Sequence, residues 1–361
     1  MNIYHLISNK VWGGGEQYVY DLSKKLIADD NYVEIVCRNN PAIITPFRGL
    51  EIPISTLPLK GLTDVNSARR LARIIRKGEN IVHVHNFKDA FTACVARNLS
   101  QNSDVKVILT RHLVKRGKNS VVYHKLYKSL DCIIFVSNIA KDIFLSGHPK
   151  IDTKKIVVLH NSILPCKSVA DVADIRVKYS IPQTKALIMY HGRLVKEKGV
   201  DILLRALSQL DRNRFHLIIA GTGNEHYSDV LHDIIVSNRL QDNVTFLGHV
   251  EAVQPIIGQC DFGVLPSVGR ESLGLSNMEY MMMGKAQICS NNGAQPEYLD
   301  NGVTAMLIEP EKPFLLASAI DELLNAPDTC KLMGQKAKLK FDAELSYSHF
   351  YCEMTDIYRK L

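Results

Sequence analysis

The sequence predicts an α/β protein of two doubly wound domains, each a mostly parallel sheet wrapped by helices. Its 361 residues suffice for two domains of ordinary size. Short β-rich runs alternate with helix-like segments in two successive series, the pattern of βαβ units. Between the two series, NSILPCKS at 161–168 interrupts the alternation with a proline and polar residues and reads as a linker.

The first series places strands at Asn2–Ser8, Tyr32–Cys37, Ile81–His85, Val105–Thr110, Cys132–Val136 and Ile156–Leu159. Helical patterns at Glu16–Ala28, Asp64–Lys77 and Lys88–Leu99 separate most of them. The second series restarts with Ala186–Tyr190, Phe215–Ala220, Val244–Leu247, Phe262–Leu265, Ala286–Cys289 and Thr304–Ile308. After its first strand, Val200, Leu203, Leu204, Leu207 and Leu210 mark the apolar stripe of an amphipathic helix. Pro313–Asn325, Thr329–Phe341 and Tyr347–Leu361 also read as helices, and no strand follows the last. Ligands of such sheets sit at the carboxyl ends of strands, so the expected site lies in a cleft between the domains.

Composition narrows the class. Hydrophobic residues make up 46% and charged residues 22%, values ordinary for a soluble globular chain. No apolar run approaches the ~20 residues of a membrane span, and the N-terminus lacks the basic start and apolar core of a signal peptide. The eight cysteines form no CxxC pair and lie mostly in apolar segments, which predicts reduced thiols and a cytoplasmic location. Net charge is +7, but residues 1–163 carry 24 Lys+Arg against 13 Asp+Glu, hence +11, leaving −4 for the remainder. Arg111, Lys115, Arg116, Lys118, Lys125 and Lys128 follow one another with no acid from 111 to 130. That stretch reads either as a solvated face or as an attraction to an anionic membrane surface or charged acceptor. No aromatic-interleaved basic motif points to nucleic acid.

Several motifs could carry chemistry. Gly13, Gly14 and Gly15 precede a helix, where glycines permit close approach of backbone to phosphate, although a structural turn is an equal reading. The pattern is neither GxGxxG nor a P-loop. In YHGRLVKEKG, Arg193 and Lys198 follow a strand and suit a diphosphate, or else a plain charged surface. Gly221, Thr222 and Gly223 end one strand and TFLGHV, with His249, ends another; a flat base could rest on either turn. Most informative is GVLPSVGRESLGLSNMEYMMMG at 263–284, a strand leading through a loop into a helix. Glu271 and Glu279 lie eight residues apart across that junction. Were every step helical they would span roughly 12 Å, too far to flank one bond and suited to two ends of an extended ligand. Free N–H groups near Leu273 to Ser276 would hold an anion between them.

Taken in order, GGGE, GRLVKEKG, IAGTG, VTFLGHV, ESLGLSNME and NNGAQPEYLDNGVTAMLIEP resemble the retaining glycosyltransferases of family 4, which have the GT-B fold. The resemblance covers nearly the whole chain and is strongest from 187 to 310. It implies an N-terminal acceptor-side domain at 1–163, a nucleotide-sugar-binding domain at 164–346, and residues 347–361 packing back on the first. It further implies that Arg193 and Lys198 bind the donor diphosphate, that Glu271 holds the sugar, and that Glu279 holds the ribose. Backbone N–H groups near Gly274 and Leu275 would cradle the distal phosphate, with Gly14 and Gly15 covering it, and Ser272 would be a further donor-binding residue. In LTRHLVK, His112 stands where the family places a histidine near the donor sugar. His85 is a further candidate, while His83 reads as a core residue and Glu297, in the family's G-x-x-E turn, as structural. Ser272 and Leu273 replace the family's frequent Gly and Phe, and Asn161–Ser162 its Asn-Gly.

The implied reaction is transfer with retention, by same-face attack in which the departing phosphate takes the acceptor proton. The implied donor is a UDP- or GDP-sugar, and the acceptor a saccharide or lipid-linked saccharide. No cofactor or metal is expected, since no Asp-x-Asp element is evident and the two cations can neutralise the leaving group. A related hydrolase or epimerase, or a non-catalytic nucleotide-sugar-binding subunit, would use the same fold.

Overall fold

The computed structural model describes residues 1–62, 64–166 and 173–361. Two compact units emerge: Met1–Asn161 together with Tyr347–Leu361, and Ser162–Ser346.

The first unit carries β1 (Asn2–Ile7), β2 (Tyr32–Cys37), β3 (Ile54–Thr56), β4 (Asn80–Val84), β5 (Val105–Arg111), β6 (Cys132–Phe135) and β7 (Ile156–Val158). They pair in the order β3-β2-β1-β4-β5-β6-β7, all parallel. Strand β4 is buried at every position, as expected of a parallel strand covered by helices on both faces. Its neighbour β1 has β2 on one side and β4 on the other, so the winding reverses at the β1/β4 junction. In open α/β sheets ligands bind at such a switch point.

The second unit repeats the design with β8 (Ala186–His191), β9 (Phe215–Ala220), β10 (Val244–Gly248), β11 (Phe262–Leu265), β12 (Ala286–Ser290) and β13 (Met306–Ile308). Their order is β10-β9-β8-β11-β12-β13, again all parallel, with the switch point at β8/β11. The amphipathic helix after β8 runs Val200–Leu207 and buries Val200, Leu203, Leu204 and Leu207 completely. It stops short of Leu210, the end that the apolar stripe predicts.

Some elements differ from the sequence expectation. Strand β3 was not anticipated; its three residues follow Pro53 and are only half buried or exposed, so neither length nor burial marks them. Strand β13 begins at Met306, two residues later than predicted, and the helix expected at 329–341 occupies Pro327–Lys340. The linker at 161–168 lies partly outside the described residues. The last helix, Tyr347–Arg359, buries Phe350, Tyr351, Met354 and Tyr358 and belongs to the first unit. There the Phe350 ring meets Tyr18 edge-on at 5.6 Å. No helix among the described residues is long and apolar enough to cross a membrane.

Candidate active site

In the second unit the candidate residues gather at the carboxyl ends of β8 and β11. Beyond β8 the chain turns through Gly192 and Arg193 into a short 3-10 turn, Lys196–Lys198. Leu194 bridges to Gly223, and its N–H donates to the Thr222 carbonyl at 2.8 Å, which ties the Arg193 loop to the turn after β9. Gly221 sits at φ +149°, and a Cβ there would lie 1.9 Å from the Gly192 carbonyl oxygen. A Cβ on Gly223 would meet Leu194 equally closely. These glycines are thus demanded by the closeness of two backbones, the first also by its φ. Gly221 N–H donates to Gly248 O at 2.7 Å, while the adjacent His249 is exposed.

Lys198 Nζ lies 2.6 Å from Glu271 Oε1, and the Ser267 hydroxyl donates to the same oxygen. Both partners are largely buried, with side chains 18% and 13% exposed. Two donors on one oxygen hold the carboxylate in place and leave Oε2 for the hydroxyl of a ligand. Glu271 precedes the helix Leu275–Met282, whose N-cap is Gly274 at φ +89°. Ser272 is half buried, and Leu275 is the first helical residue. Glu279 alone of the two acids is helical, so the eight-residue interval is only partly a helical rise. The N–H groups of a helix's first turn lack partners within the helix, which favours an anion there.

On the helix, Glu279 Oε2 stands 3.2 Å from His191 Nε2, and Ser276 donates to the His191 carbonyl. Burial holds the His191 imidazole down to about 4, so this contact joins a carboxylate to a neutral ring and is not an ion pair. Arg193 is exposed, and its carbonyl accepts the Tyr190 hydroxyl at 3.0 Å. Glu297 lies on the short helix Gln295–Tyr298, where Ala294 N–H donates to the Glu271 carbonyl.

In the first unit, four histidines cluster at the β1/β4 switch point and the end of β5. His5 Nδ1 is 3.3 Å from His85 Nε2, and His85 Nδ1 is 3.3 Å from His112 Nε2. The ring centroids are 5.5 and 5.6 Å apart, with the planes inclined by 28° and 26°. Burial lowers His5 to about 3 and His112 to about 4, and holds His85 well below its ordinary value. Three neutral imidazoles each carry one N–H, so their tautomers are coupled along the row. If His5 Nδ1 donates, His112 Nε2 accepts, and His112 Nδ1–H becomes a donor. His5 Nε2 is buried without a partner. A lone acceptor is better tolerated there than an orphaned N–H, which favours that direction.

His112 also stands beside the glycine turn: a Cβ on Gly15 would lie 3.8 Å from its ring. Gly14 begins the helix Gly14–Ala28 and is exposed. His83 is fully buried, with Nδ1 2.7 Å from the Tyr358 hydroxyl and Nε2 2.7 Å from Thr110 Oγ1. His5, His83 and His85 approach closely enough to hold a metal ion. Yet both His83 nitrogens are hydrogen-bonded, and His5 and His85 are turned to each other.

Sequence reasoning did not single out His5, His191 or Ser267. His5 lies between Tyr4 and Leu6 on a mostly apolar strand, as His83 and His85 lie beside Val82 and Val84.

Two all-parallel α/β units, each with a switch point, match the GT-B architecture, and the second holds the Lys198–Glu271 ion pair. The family described as glycosyl transferases group 1 matches residues 171–340, and glycosyltransferase family 4 matches residues 12–164. The chain belongs to the group 1 glycosyltransferases of the family 4 type. Among its relatives, the glycogen synthase of Mycobacterium tuberculosis is 26% identical over 300 residues, covering 77% of this chain and 68% of that one. Solved structures support the fold. A glycosyltransferase from Rickettsia africae superposes with a TM-score of 0.87 at 21% identity, over 99% of this chain and 98% of that one. Anabaena HepE in complex with UDP gives 0.86 at 17% identity, over the whole of both chains.

Proposed function

We propose that this glycosyltransferase moves a sugar, with retention of configuration and without a metal, from a nucleotide-sugar to a saccharide or lipid-linked acceptor. The setting we assign is cell-surface polysaccharide or lipopolysaccharide synthesis at the cytoplasmic side of a membrane. The observation that carries the reading is the Lys198–Glu271 pair beside the Gly274 helix start, at the switch point of the second unit. In this reading Lys198 and Arg193 take the donor diphosphate and offset the charge that develops as it departs, a role that elsewhere falls to a divalent cation. Glu271 Oε2 accepts from the sugar, Glu279 from the ribose, and the N–H groups at Gly274 and Leu275 hold the distal phosphate. HepE structures with UDP and with UDP-glucose support the donor class.

On the first unit, His112 Nδ1–H is assigned to a hydroxyl of the transferred sugar, with Gly14 and Gly15 alongside. No side chain is assigned as a covalent nucleophile; the departing phosphate takes the acceptor proton. Catalysis then comes from positioning and charge stabilisation.

Replacing Lys198→Ala tests the assignment. Transfer to a membrane-extract acceptor should fall by at least about 100-fold, the scale of a lost charge stabiliser, while the fold survives. Unchanged transfer would remove Lys198 from the site.

A further inference from the structure

One cavity of the first unit is not used by the reaction as described. It has a volume of about 510 Å³ and opens at the carboxyl ends of β1, β2, β4 and β5. Lys10, Arg38, Lys88 and Arg111 line it from the strand ends. Lys115, Arg116 and Lys118 close it from the loop after β5. No carboxylate lines it. Among the described residues, none of these seven cations makes an ion pair.

Two adjoining acids are buried and already occupied: Glu16 accepts from Asn9 Nδ2, and Asp89 bonds the lining residues Ser8 and Asn86. Asp89 accepts Ser8 N–H at 3.0 Å and Asn86 Nδ2 at 2.6 Å. Arg111 is the informative member. Its guanidinium lies 4.8 Å over the Phe87 ring and 5.8 Å from Phe144, yet its Nε is buried without a hydrogen-bond partner. An unpaired, partly buried charge with an orphaned donor is costly in isolation, and such a group is commonly completed by a ligand. Seven positive charges around one opening concentrate the field on whatever enters. A single carboxylate would leave most of that charge unmatched. A phosphate or diphosphate, with two or more charges and several acceptor oxygens, suits forked guanidiniums and ammonium groups.

Position indicates which substrate carries the anion. Arg111 immediately precedes His112, and Asn86 and Phe87 immediately follow His85, so the cavity adjoins the histidine row within one unit. The donor's own diphosphate is assigned to Arg193 and Lys198 of the second unit. We propose that this cavity is an acceptor subsite that binds a phosphate or diphosphate group carried by the acceptor, held by Arg111 and the Lys115–Lys118 loop. The proposal rests on the transferase reading above and narrows its acceptor class. Phe87 and Tyr123, which also line the cavity, offer apolar surface to the adjoining sugar or lipid.

Calorimetric titration of inorganic pyrophosphate into UDP-saturated protein tests it, because UDP fills the donor site first. Lys115 and Arg116 are exposed, so the double variant Lys115→Gln/Arg116→Gln should fold normally. Arg111→Gln is the second variant. We expect one pyrophosphate site in the wild-type protein, weakened about tenfold or more by either variant, with UDP affinity unchanged. Absence of that site, or equal affinity in both variants, would overturn the subsite. Absence of binding to UDP, GDP, ADP and CMP alike in the wild type would instead overturn the donor reading, while variant-sensitive pyrophosphate binding would still support the cavity. A parallel arm uses phosphatidylcholine vesicles doped with phosphatidylglycerol. Vesicle binding that pyrophosphate displaces marks a lipid-borne phosphate, whereas pyrophosphate binding without vesicle binding marks a water-soluble phosphorylated acceptor.

Discussion

At Gly221 a φ of +149° combines with a space that leaves an added Cβ 1.9 Å from Gly192 O. Gly221→Ala should therefore cost about 2–4 kcal/mol in urea unfolding, in line with strain at a positive φ plus a backbone clash. A loss below about 0.5 kcal/mol would mean that the Arg193 loop yields easily. Glu279→Ala is expected to weaken donor binding by about tenfold, the worth of a hydrogen bond to a charged group, without lowering turnover as Lys198→Ala does. Residue types were legible in the sequence where they carried a motif, as in ESLGLSNME. Partnerships were not. Ser267 sits four residues before Glu271 and His191 two before Arg193, but only the fold turns those side chains onto Glu271 and Glu279.

Elements were legible in proportion to their apolar periodicity. Strands β1, β4 and β8 stand out as apolar runs because both sheet faces are covered, whereas three-residue β3 offers no such run. The last helix illustrates a link that periodicity cannot show. Tyr358 reaches across 275 positions in sequence to His83, whose other nitrogen bonds Thr110. Tyr358→Phe would leave a buried imidazole nitrogen without its partner, at a cost of about 1–3 kcal/mol. Denaturant unfolding monitored by circular dichroism measures it, and an unchanged midpoint would show that the helix docks through apolar contacts alone.

For the molecule as a whole, the buried histidines set the expected pH dependence. Unfolded, each takes up a proton near pH 6.5; folded, burial holds His5 to about 3 and His112, His191 and His216 to about 4. His83 and His85 are also lowered. The unfolded chain then binds more protons below pH 6.5, so stability falls on acidification, by up to about 1.4 kcal/mol per pH unit for each histidine. Asp21 and Asp89, both pushed up to about 6 by burial, work in the opposite sense between pH 6 and 3.8, but they are fewer. The thermal midpoint should be level above about pH 7.5 and drop steadily from pH 6.5 to 5; a rise over that interval would contradict the burial of the row. The two-domain plan and the excess positive charge of residues 1–163 were visible from alternation and counting. The cavity that concentrates that charge was not, because Lys10, Arg38, Lys88 and Arg111 are brought together only by strand order. The central claim is that the second unit binds a nucleotide-sugar through Lys198, Glu271 and Glu279. Thermal denaturation with UDP-, GDP-, ADP- and CMP-sugars tests it most directly, because a ligand at 100 times its dissociation constant adds about 2.7 kcal/mol. One nucleotide class should raise the wild-type midpoint by several degrees and that of Glu279→Ala by about half as much; no shift with any donor, or equal shifts in both proteins, would contradict the account.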